Sequence, residues 1–222
     1  SSDLYPNTEK ILALRPDFVI LSNIDNHRNL QGVLYDVGIE NIILSYDNYS
    51  DFVHILDLFA RLIGNSEIVN KVVPDLHNEV QLIIDKYRDN QVKENPTFLS
   101  LFAYPGNVSA ELNTAHTAHI ASLLGGINIA EIDPPGKGQK RINYSFEHII
   151  SKDPDFIFVT PMGDVKEVEE ELKQDMMSNQ AWRELSAVKR NNVYFLPEEL
   201  FLYKPNDKFP EAFEYMADLL YK

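Results

Sequence analysis

A sixteen-residue pattern that occurs twice limits the possible folds of this chain more than any other feature. Residues 7–22 read NTEKILALRPDFVILS, and residues 145–160 read SFEHIISKDPDFIFVT. Both copies contain E-x-I, a four-residue gap, P-D-F and an apolar run. The copies lie 138 residues apart, which is too far for a solenoid, whose repeats span about 20–50 residues. The pattern therefore predicts two similar lobes with one copy in each.

Each copy predicts a short helix that leads into a strand. Asn7 and Ser145 are good N-cap residues because their side-chain oxygens accept from free backbone N–H groups. The proline of P-D-F ends the helix, since proline disfavours helix in the residue before it. Phe18–Leu21 and Phe156–Val159 are unbroken apolar runs, which are typical of strands buried on both faces of a parallel sheet.

The rest of the chain alternates in the same way and predicts an α/β fold with mostly parallel sheets in two Rossmann-like lobes. Polar loops are expected at 22–29 and 104–113. Further buried strands are predicted at 41–46, 97–103 and 193–196, and helices at 30–37, 51–63, 114–124 and 209–220. The charge run after Asp164 predicts a capped helix with a solvated face.

One longer helix separates the two halves of the pattern. Residues 67–90 are helical in pattern, with Pro74 as a potential kink, and would extend about 35 Å. The polar stretch 89–96 is the clearest boundary. The predicted organisation is an amino-terminal lobe at 1–66, a bridging helix at 67–92 and a carboxy-terminal lobe at 93–222.

Composition excludes several classes of function. The net charge of −14 argues against nucleic acid, whose binding needs basic surface. The chain has no cysteine, which excludes disulfides, thiolate metal sites and a cysteine nucleophile. No signal peptide or membrane-spanning run is found in the sequence. The opening Ser1-Ser2-Asp3 fits a processed or trimmed product.

Enzyme signatures are mostly missing, including G-x-S-x-G, H-E-x-x-H, G-x-G-x-x-G and the Walker A motif. Gly136–Lys140 resembles a phosphate loop only faintly, and we expect an ordinary surface loop. His116 and His119 are three residues apart and can share a helix face, which suits either a metal site or packing. Trp182 is expected in the core.

Three tyrosines stand at or beyond the carboxyl ends of predicted strands, which is where open α/β sheets bind ligands. They are Tyr46, Tyr104 and Tyr203. Packing at the rim of the sheet is the alternative explanation for each of them.

The repeated E-x-I-x(4)-P-D-F pattern resembles the substrate-binding proteins of bacterial ABC importers for iron-siderophores, haem and cobalamin, the class III family with a helical backbone. Residues 6–22, which contain the first copy, resemble the segment of the first lobe that docks on the permease. Two further segments resemble this family in the right order, 123–130 (LLGGINIA) and 182–197 (WRELSAVKRNNVYFLP). The resemblance implies two α/β lobes joined by one long helix, with the ligand in a cleft between them. It also implies transport without catalysis.

The resemblance also implies partners and site residues. Glu9 and Glu147 occupy the positions of the two glutamates that enter arginine-lined pockets of the permease dimer. No resident cofactor or metal is expected, and the protein is expected to act as a monomer, extracytoplasmic, either periplasmic or lipid-anchored. The expected cargo is an iron complex, either a siderophore or haem. The residues expected to bind it follow strands: Arg28, Tyr46, Tyr104, His116, Met162, Tyr203 and Lys204.

The chain departs from the family in two respects, and alternatives remain for its function. The lipid-bearing cysteine of lipoprotein members is not seen, which trimming would explain. Family members have a further strand and helix before the first glutamate segment, so we expect either a fragment or a reduced amino-terminal lobe. Cobalamin binding is an alternative, as is free-metal capture by His27, His116 and His119. A hydrolase or cofactor-assembly protein on a related two-lobed scaffold is the enzyme alternative.

Overall fold

The computed structural model describes residues 6–89, 95–131, 136, 138–143 and 146–221. The chain falls into two compact units, Ser1–Tyr46 and Asp47–Lys222, here called the first and second units. No helix in the described ranges is both long enough and apolar enough to cross a membrane. The lobe boundaries expected from the sequence, including a bridging helix at 67–92, stay a prediction.

The first unit contains one copy of the repeat followed by a second helix and strand. Its elements are α1 (Thr8–Leu14), β1 (Phe18–Ser22), α2 (Asp25–Asp36) and β2 (Glu40–Leu44). The two strands pair in parallel, with Phe18 opposite Glu40 and Ser22 opposite Leu44. Leu21, Leu30 and Leu34 form the small core beneath them.

The second unit begins with helices and then builds a larger sheet. The helices before the sheet are α3 (Tyr49–Leu62) and α4 (Val73–Asp89), with a π-helical turn at Ile68–Val72 between them. The strands are β3 (Thr97–Tyr104), β4 (Asn107–Glu111), β5 (Ile127–Asn128), β6 (Arg141–Ile142), β7 (Phe156–Pro161) and β8 (Val193–Phe195). The remaining helices are α5 (His116–Leu123), α6 (Phe146–Lys152), α7 (Val165–Ser178), α8 (Gln180–Glu184), α9 (Ser186–Lys189), α10 (Glu198–Phe201) and α11 (Phe209–Leu220), with a 3-10 turn at Asn206–Lys208.

The strand order of the larger sheet is β6-β4-β3-β7-β8, and β5 pairs with the start of β3. β3, β7 and β8 run parallel, so their carboxyl ends share one edge. β4 pairs antiparallel with β3 and with β6. Alternate residues of β3 and β7 point to opposite faces of the sheet. On one face, Leu99 and Ile157 belong to the core that contains Ile149. On the other face, the rings of Phe98 and Phe158 pack with their centroids 5.9 Å apart.

Most predicted elements are confirmed. Asn7 caps α1 by accepting from the Lys10 N–H at 2.9 Å, and Asp164 caps α7. The apolar stripe of α11 is buried along its length. Pro74 lies just after the π-helical turn Ile68–Val72, and the helix runs through this point without a break, so the predicted disturbance at Pro74 coincides with a local change in the helical hydrogen-bond pattern. Ser145 lies outside the described residues.

Three expectations were wrong. Strand β1 is not buried on both faces, because Phe18 and Ile20 are 44% and 55% exposed, and β2 is only half-buried. The segment 22–29 is not a loop throughout, since α2 begins at Asp25, whose carboxylate suits the first turn of a helix. The segment 104–113 contains β4, which returns antiparallel to β3 through the turn at Gly106, whose φ is 75°.

Candidate ligand-binding site

Tyr104 and Met162 are neighbours at the carboxyl edge of the larger sheet. Tyr104 ends β3 and Met162 follows β7, directly after the paired residues Ala103 and Pro161. The Met162 N–H donates to the Ala103 carbonyl at 2.8 Å. The two residues are 39% and 41% exposed, so a phenol and a thioether face solvent side by side at the edge where open α/β sheets bind ligands.

Three basic residues, here called the basic cluster, gather close to this edge: Lys140, Arg141 and Lys204. Lys140 Nζ lies 2.5 Å from Asp47 Oδ1, and Lys204 Nζ donates to the Asp47 carbonyl at 2.9 Å. Burial lowers the pKa of Lys204, and the charges of Lys140 and Arg141 lower it further, while Asp47 and Glu111 oppose them. Lys140 and Lys204 both reach Asp47, and Arg141 follows Lys140 in the chain, so the three cations lie near one another.

Arg141 is the most firmly held member of the cluster. Its Nε and Nη2 donate to Glu111 Oε1 at 3.3 and 3.1 Å. The guanidinium also lies over the Phe102 ring, with its central carbon 3.5 Å from the ring centroid. Phe102 in turn meets Tyr104 edge-to-face at 6.3 Å, so the cluster continues into the exposed tyrosine.

The loop after α10 supplies Tyr203 and Lys204. Tyr203 is 67% exposed. Lys204 has a φ of 50° and precedes Pro205. A left-handed backbone is unusual for a residue other than glycine, and such conformations gather at functional sites. The Lys204 residue that has this strained backbone also donates from its ammonium group to the Asp47 carbonyl.

His116 lies in the core of the second unit. The ring is 4% exposed, its Nε2 lies 2.9 Å from the Leu200 carbonyl, and it packs edge-on to Phe209 at 5.5 Å. The carbonyl accepts, so Nε2 carries the proton, and Nδ1 has no partner within the described part of the chain. Burial, reinforced by the charge of Lys204, lowers the pKa of His116 to about 4. A direct ligand contact would require this ring to leave its packing.

The other candidate metal ligands are also engaged with protein atoms. His119 Nδ1 lies 3.2 Å from the Asn113 carbonyl, and Nε2 lies 3.4 Å from Ser50 Oγ. In the first unit, His27 Nδ1 accepts from the Ser22 N–H at 3.1 Å. Across the described ranges, no group of three or more His, Cys, Asp or Glu side chains is arranged to hold a metal ion.

In the first unit, Arg28 and Tyr46 lie at the carboxyl edge of the smaller sheet. Arg28 is on α2, pairs with Asp25, and donates to Asn23 Oδ1 at 2.9 Å. Asn23 donates to Ser45 Oγ at 2.8 Å, which joins the ends of β1 and β2. Tyr46 follows Ser45. Both residues therefore come to a strand edge, although Arg28 reaches it from a helix and not from the predicted loop.

The two glutamates of the repeat, Glu9 and Glu147, occupy equivalent places in the two units. Glu9 is in the first turn of α1 and Glu147 is in the first turn of α6. Both are exposed. The repeated sequence therefore presents one carboxylate from the start of one helix in each unit.

Sequence reasoning missed Lys140, Arg141 and Glu111. Lys140 was expected in the surface loop Gly136–Lys140, Arg141 was given no role, and Glu111 was expected in the loop 104–113. One signal was available: Ser100 interrupts an otherwise apolar strand, and its hydroxyl donates to Glu111 Oε2 at 2.9 Å in the interior. A polar residue in a buried strand indicates a partner on a neighbouring element.

Comparison with known proteins decides the family. Residues 1–200 match the family described as periplasmic binding protein. The chain belongs to this family. The match covers both copies of the repeat and confirms the class of substrate-binding protein that the sequence resembles. Proteins of this class bind small-molecule ligands and work with an ABC permease.

Individual relatives agree with the family. The high-affinity heme uptake system protein IsdE of Staphylococcus aureus (strain Newman) is 25% identical over 229 residues, which covers 98% of this chain and 72% of IsdE. Its crystal structure complexed with heme superposes with a TM-score of 0.81 at 22% identity and covers 99% of this chain and 82% of the solved chain.

Two further solved structures share the fold. An ABC transporter substrate-binding protein from Listeria monocytogenes EGD-e has a TM-score of 0.81 at 24% identity, over 99% of this chain and 82% of the other. The periplasmic vitamin B12 binding protein BtuF of Vibrio cholerae has a TM-score of 0.72 at 20% identity, over 96% and 77%. These similarities confirm the two-lobed α/β fold class, and the names describe binding and uptake proteins, not enzymes.

Proposed function

We propose that this periplasmic binding protein captures an iron chelate, haem or a ferric siderophore, and delivers it to the permease of an ABC importer. It acts as a monomer on the outer side of the cytoplasmic membrane, either periplasmic or lipid-anchored. The observation that supports this proposal is the basic cluster of Lys140, Arg141 and Lys204 close to the exposed Tyr104 and Met162.

The chemistry of this edge suits an anionic metal chelate. Cations near a sheet edge attract acidic groups of a ligand and hold them by charge-assisted hydrogen bonds. The phenol of Tyr104 and the thioether of Met162 are donor types that bind haem iron. Tyr203, which precedes Lys204 in the chain, adds an exposed aromatic ring. Haem uptake by IsdE makes haem the first candidate within this class.

Two alternatives have less support. Cobalamin is suggested by the similarity to BtuF, but its single phosphodiester and its neutral amides offer one anionic group to three cations, whereas carboxylate-bearing iron chelates offer two or more. Free-metal capture would need converging ligands. His116 and His119 instead use ring nitrogens in contacts with Leu200, Asn113 and Ser50.

A binding panel tests the proposal directly. Trp182 is the single tryptophan, and quenching of its fluorescence by haemin, ferric catecholate, ferric hydroxamate, ferric citrate or cyanocobalamin measures binding, with inner-filter correction. We expect saturable quenching at sub-micromolar concentration by haemin or by one ferric siderophore. Zn(II) and Mn(II) serve as free-metal probes and are expected to give no saturable change. Failure of every chelate to bind would overturn the proposal.

Delivery to the permease depends on Glu9 and Glu147. A carboxylate–arginine pair is strong and orientation-selective, so one pair on each unit fixes how the protein sits on a two-subunit channel. The double variant Glu9→Ala/Glu147→Ala is expected to bind the chelate with unchanged affinity and to lose most transport in reconstituted vesicles. Glu211→Ala, in the first turn of α11, is the matched control. Normal transport by the double variant would contradict the docking role.

A further inference from the structure

The orientation of Arg141 is fixed on two sides. Glu111, whose side chain is 3% exposed, accepts from Nε and Nη2, and the Ser100 hydroxyl holds the second carboxylate oxygen at 2.9 Å. The Phe102 ring supports the flat face of the guanidinium at 3.5 Å. A buried carboxylate needs such partners, so Glu111 and Arg141 hold each other in place.

This anchoring leaves part of the guanidinium for other partners. The guanidinium has five N–H groups. The N–H of Nε and the inner N–H of Nη2 face Glu111. The N–H groups of Nη1 and the outer N–H of Nη2 lie on the other edge and are here called the second fork. Within the described ranges, nothing accepts from Nη1. The Arg141 side chain remains 40% exposed although its partner Glu111 is 3% exposed, so the residue can still be reached from solvent.

We propose that the second fork of Arg141 binds a carboxylate of the cargo and that Glu111 is the positioning residue that aims it. The inference rests on the proposed function and narrows it to chelates that carry a carboxylate. A planar guanidinium fork matches the two oxygens of a carboxylate, whereas an ammonium group acts as a point charge. Lys140 and Lys204 attract the anion, and Arg141 selects its shape.

The first test changes only the ligand. Haemin has two carboxylates, and its dimethyl ester has the same iron and ring without them. Wild-type protein is expected to bind haemin at least about tenfold more tightly than the dimethyl ester, measured by Soret absorbance titration, because one charge-assisted bidentate contact is lost. Ferric citrate and ferric hydroxamate give the same contrast between carboxylate-bearing and carboxylate-free iron chelates.

The second test changes the fork. Arg141→Lys keeps the charge and removes the planar fork, so the ratio of haemin to ester affinity is expected to fall about fivefold. Glu111→Gln keeps the shape of the anchor and removes its charge, so the ratio is expected to fall by about threefold. A general loss of packing would lower both affinities and leave the ratio intact. Arg190→Lys, whose arginine pairs with Asp155 before β7, is the matched control and is expected to keep the wild-type ratio.

The outcomes separate the inference from the proposed function. Equal wild-type affinity for haemin and its ester, or tight binding only of ferric hydroxamate or ferric catecholate, would overturn the carboxylate inference and leave chelate capture standing. Tight binding of cyanocobalamin alone would overturn the proposed function, because cobalamin is not an iron chelate. Binding of no chelate would overturn the proposed function itself. An unchanged ratio in Arg141→Lys would overturn the role of the fork.

Discussion

The two copies of the helix–strand repeat share a backbone path. In both copies a seven-residue helix ends at a residue with positive φ directly before proline, 47° at Arg15 and 41° at Asp153. A left-handed residue ends a helix by turning its chain out of the helical path. P-D-F and a strand follow in each unit. The repeated residues therefore dictate the same local structure twice.

Burial differs between the copies. β7 is buried from Ile157 to Pro161 and lies between β3 and β8, with helices of the second unit packed on it. β1 has β2 as its strand neighbour in the first unit, and one face of it remains open at Phe18 and Ile20. An apolar run predicts a strand, but its neighbours decide how much of that strand is covered.

The largest expected effect on stability comes from substituting one position that the two copies of the repeat share. Phe158, which is fully buried, and Ile20, which is 55% exposed, occupy the same place in the two copies. Phe158→Ala is expected to lower the free energy of unfolding by about 3–5 kcal/mol, since it leaves a cavity. Ile20→Ala is expected to cost less than about 1 kcal/mol, because most of the side chain is already in water.

Urea unfolding followed by far-UV circular dichroism measures both variants. The midpoint and slope are compared with those of wild type for each. Similar losses from Phe158→Ala and Ile20→Ala would show that the two strands are equally covered and would remove the contrast between the units.

The burial of His116 in the second unit predicts that the stability of the protein depends on pH. The pKa of His116 is about 4 in the folded protein, below the value of 6.5 of an ordinary histidine, because burial penalises the charged form. Between these values the unfolded chain binds more protons, so stability is complete above pH 6.5 and falls as pH drops toward 4. From pH 7 to pH 5 the loss from this residue is on the order of 2 kcal/mol.

The variant His116→Gln isolates this loss. It lacks the titrating group, so its free energy of unfolding is expected to change less between pH 7 and pH 5 than that of wild type. The comparison uses urea unfolding of both proteins at the two pH values. Equal changes in the two proteins would contradict a depressed pKa at His116.

The sequence was sufficient for elements that depend on local rules. Asn7, Pro16 and Gly38 mark helix ends by capping and backbone preference alone, and the alternation of helix and strand indicated the α/β class. The candidate site was only partly predictable. Tyr104 and Met162 follow strands and were found, whereas Arg141 and Glu111 depend on the pairing of β4 with β6. That antiparallel pairing joins residues thirty positions apart, and no local pattern encodes it.

The smallest expected effect concerns the aspartate of P-D-F, which the copies share in sequence but not in contacts. Asp155 Oδ2 accepts from the Thr97 N–H at 3.1 Å and from the Thr97 hydroxyl at 2.8 Å, which joins the starts of β7 and β3. Asp17 is exposed at the start of β1. Asp155→Asn is expected to lower the free energy of unfolding by about 1 kcal/mol, since charge-assisted hydrogen bonds become neutral ones.

Asp17→Asn is the matched control, and its cost is expected to stay within about 0.5 kcal/mol. Both variants are compared with wild type by urea unfolding at pH 7. If Asp17→Asn costs as much as Asp155→Asn, the aspartate acts within the repeat itself, through the turn that each copy builds. If only Asp155→Asn is costly, the aspartate stabilises the protein through its contact with β3, just as the burial of β7 depends on the strands and helices beside it.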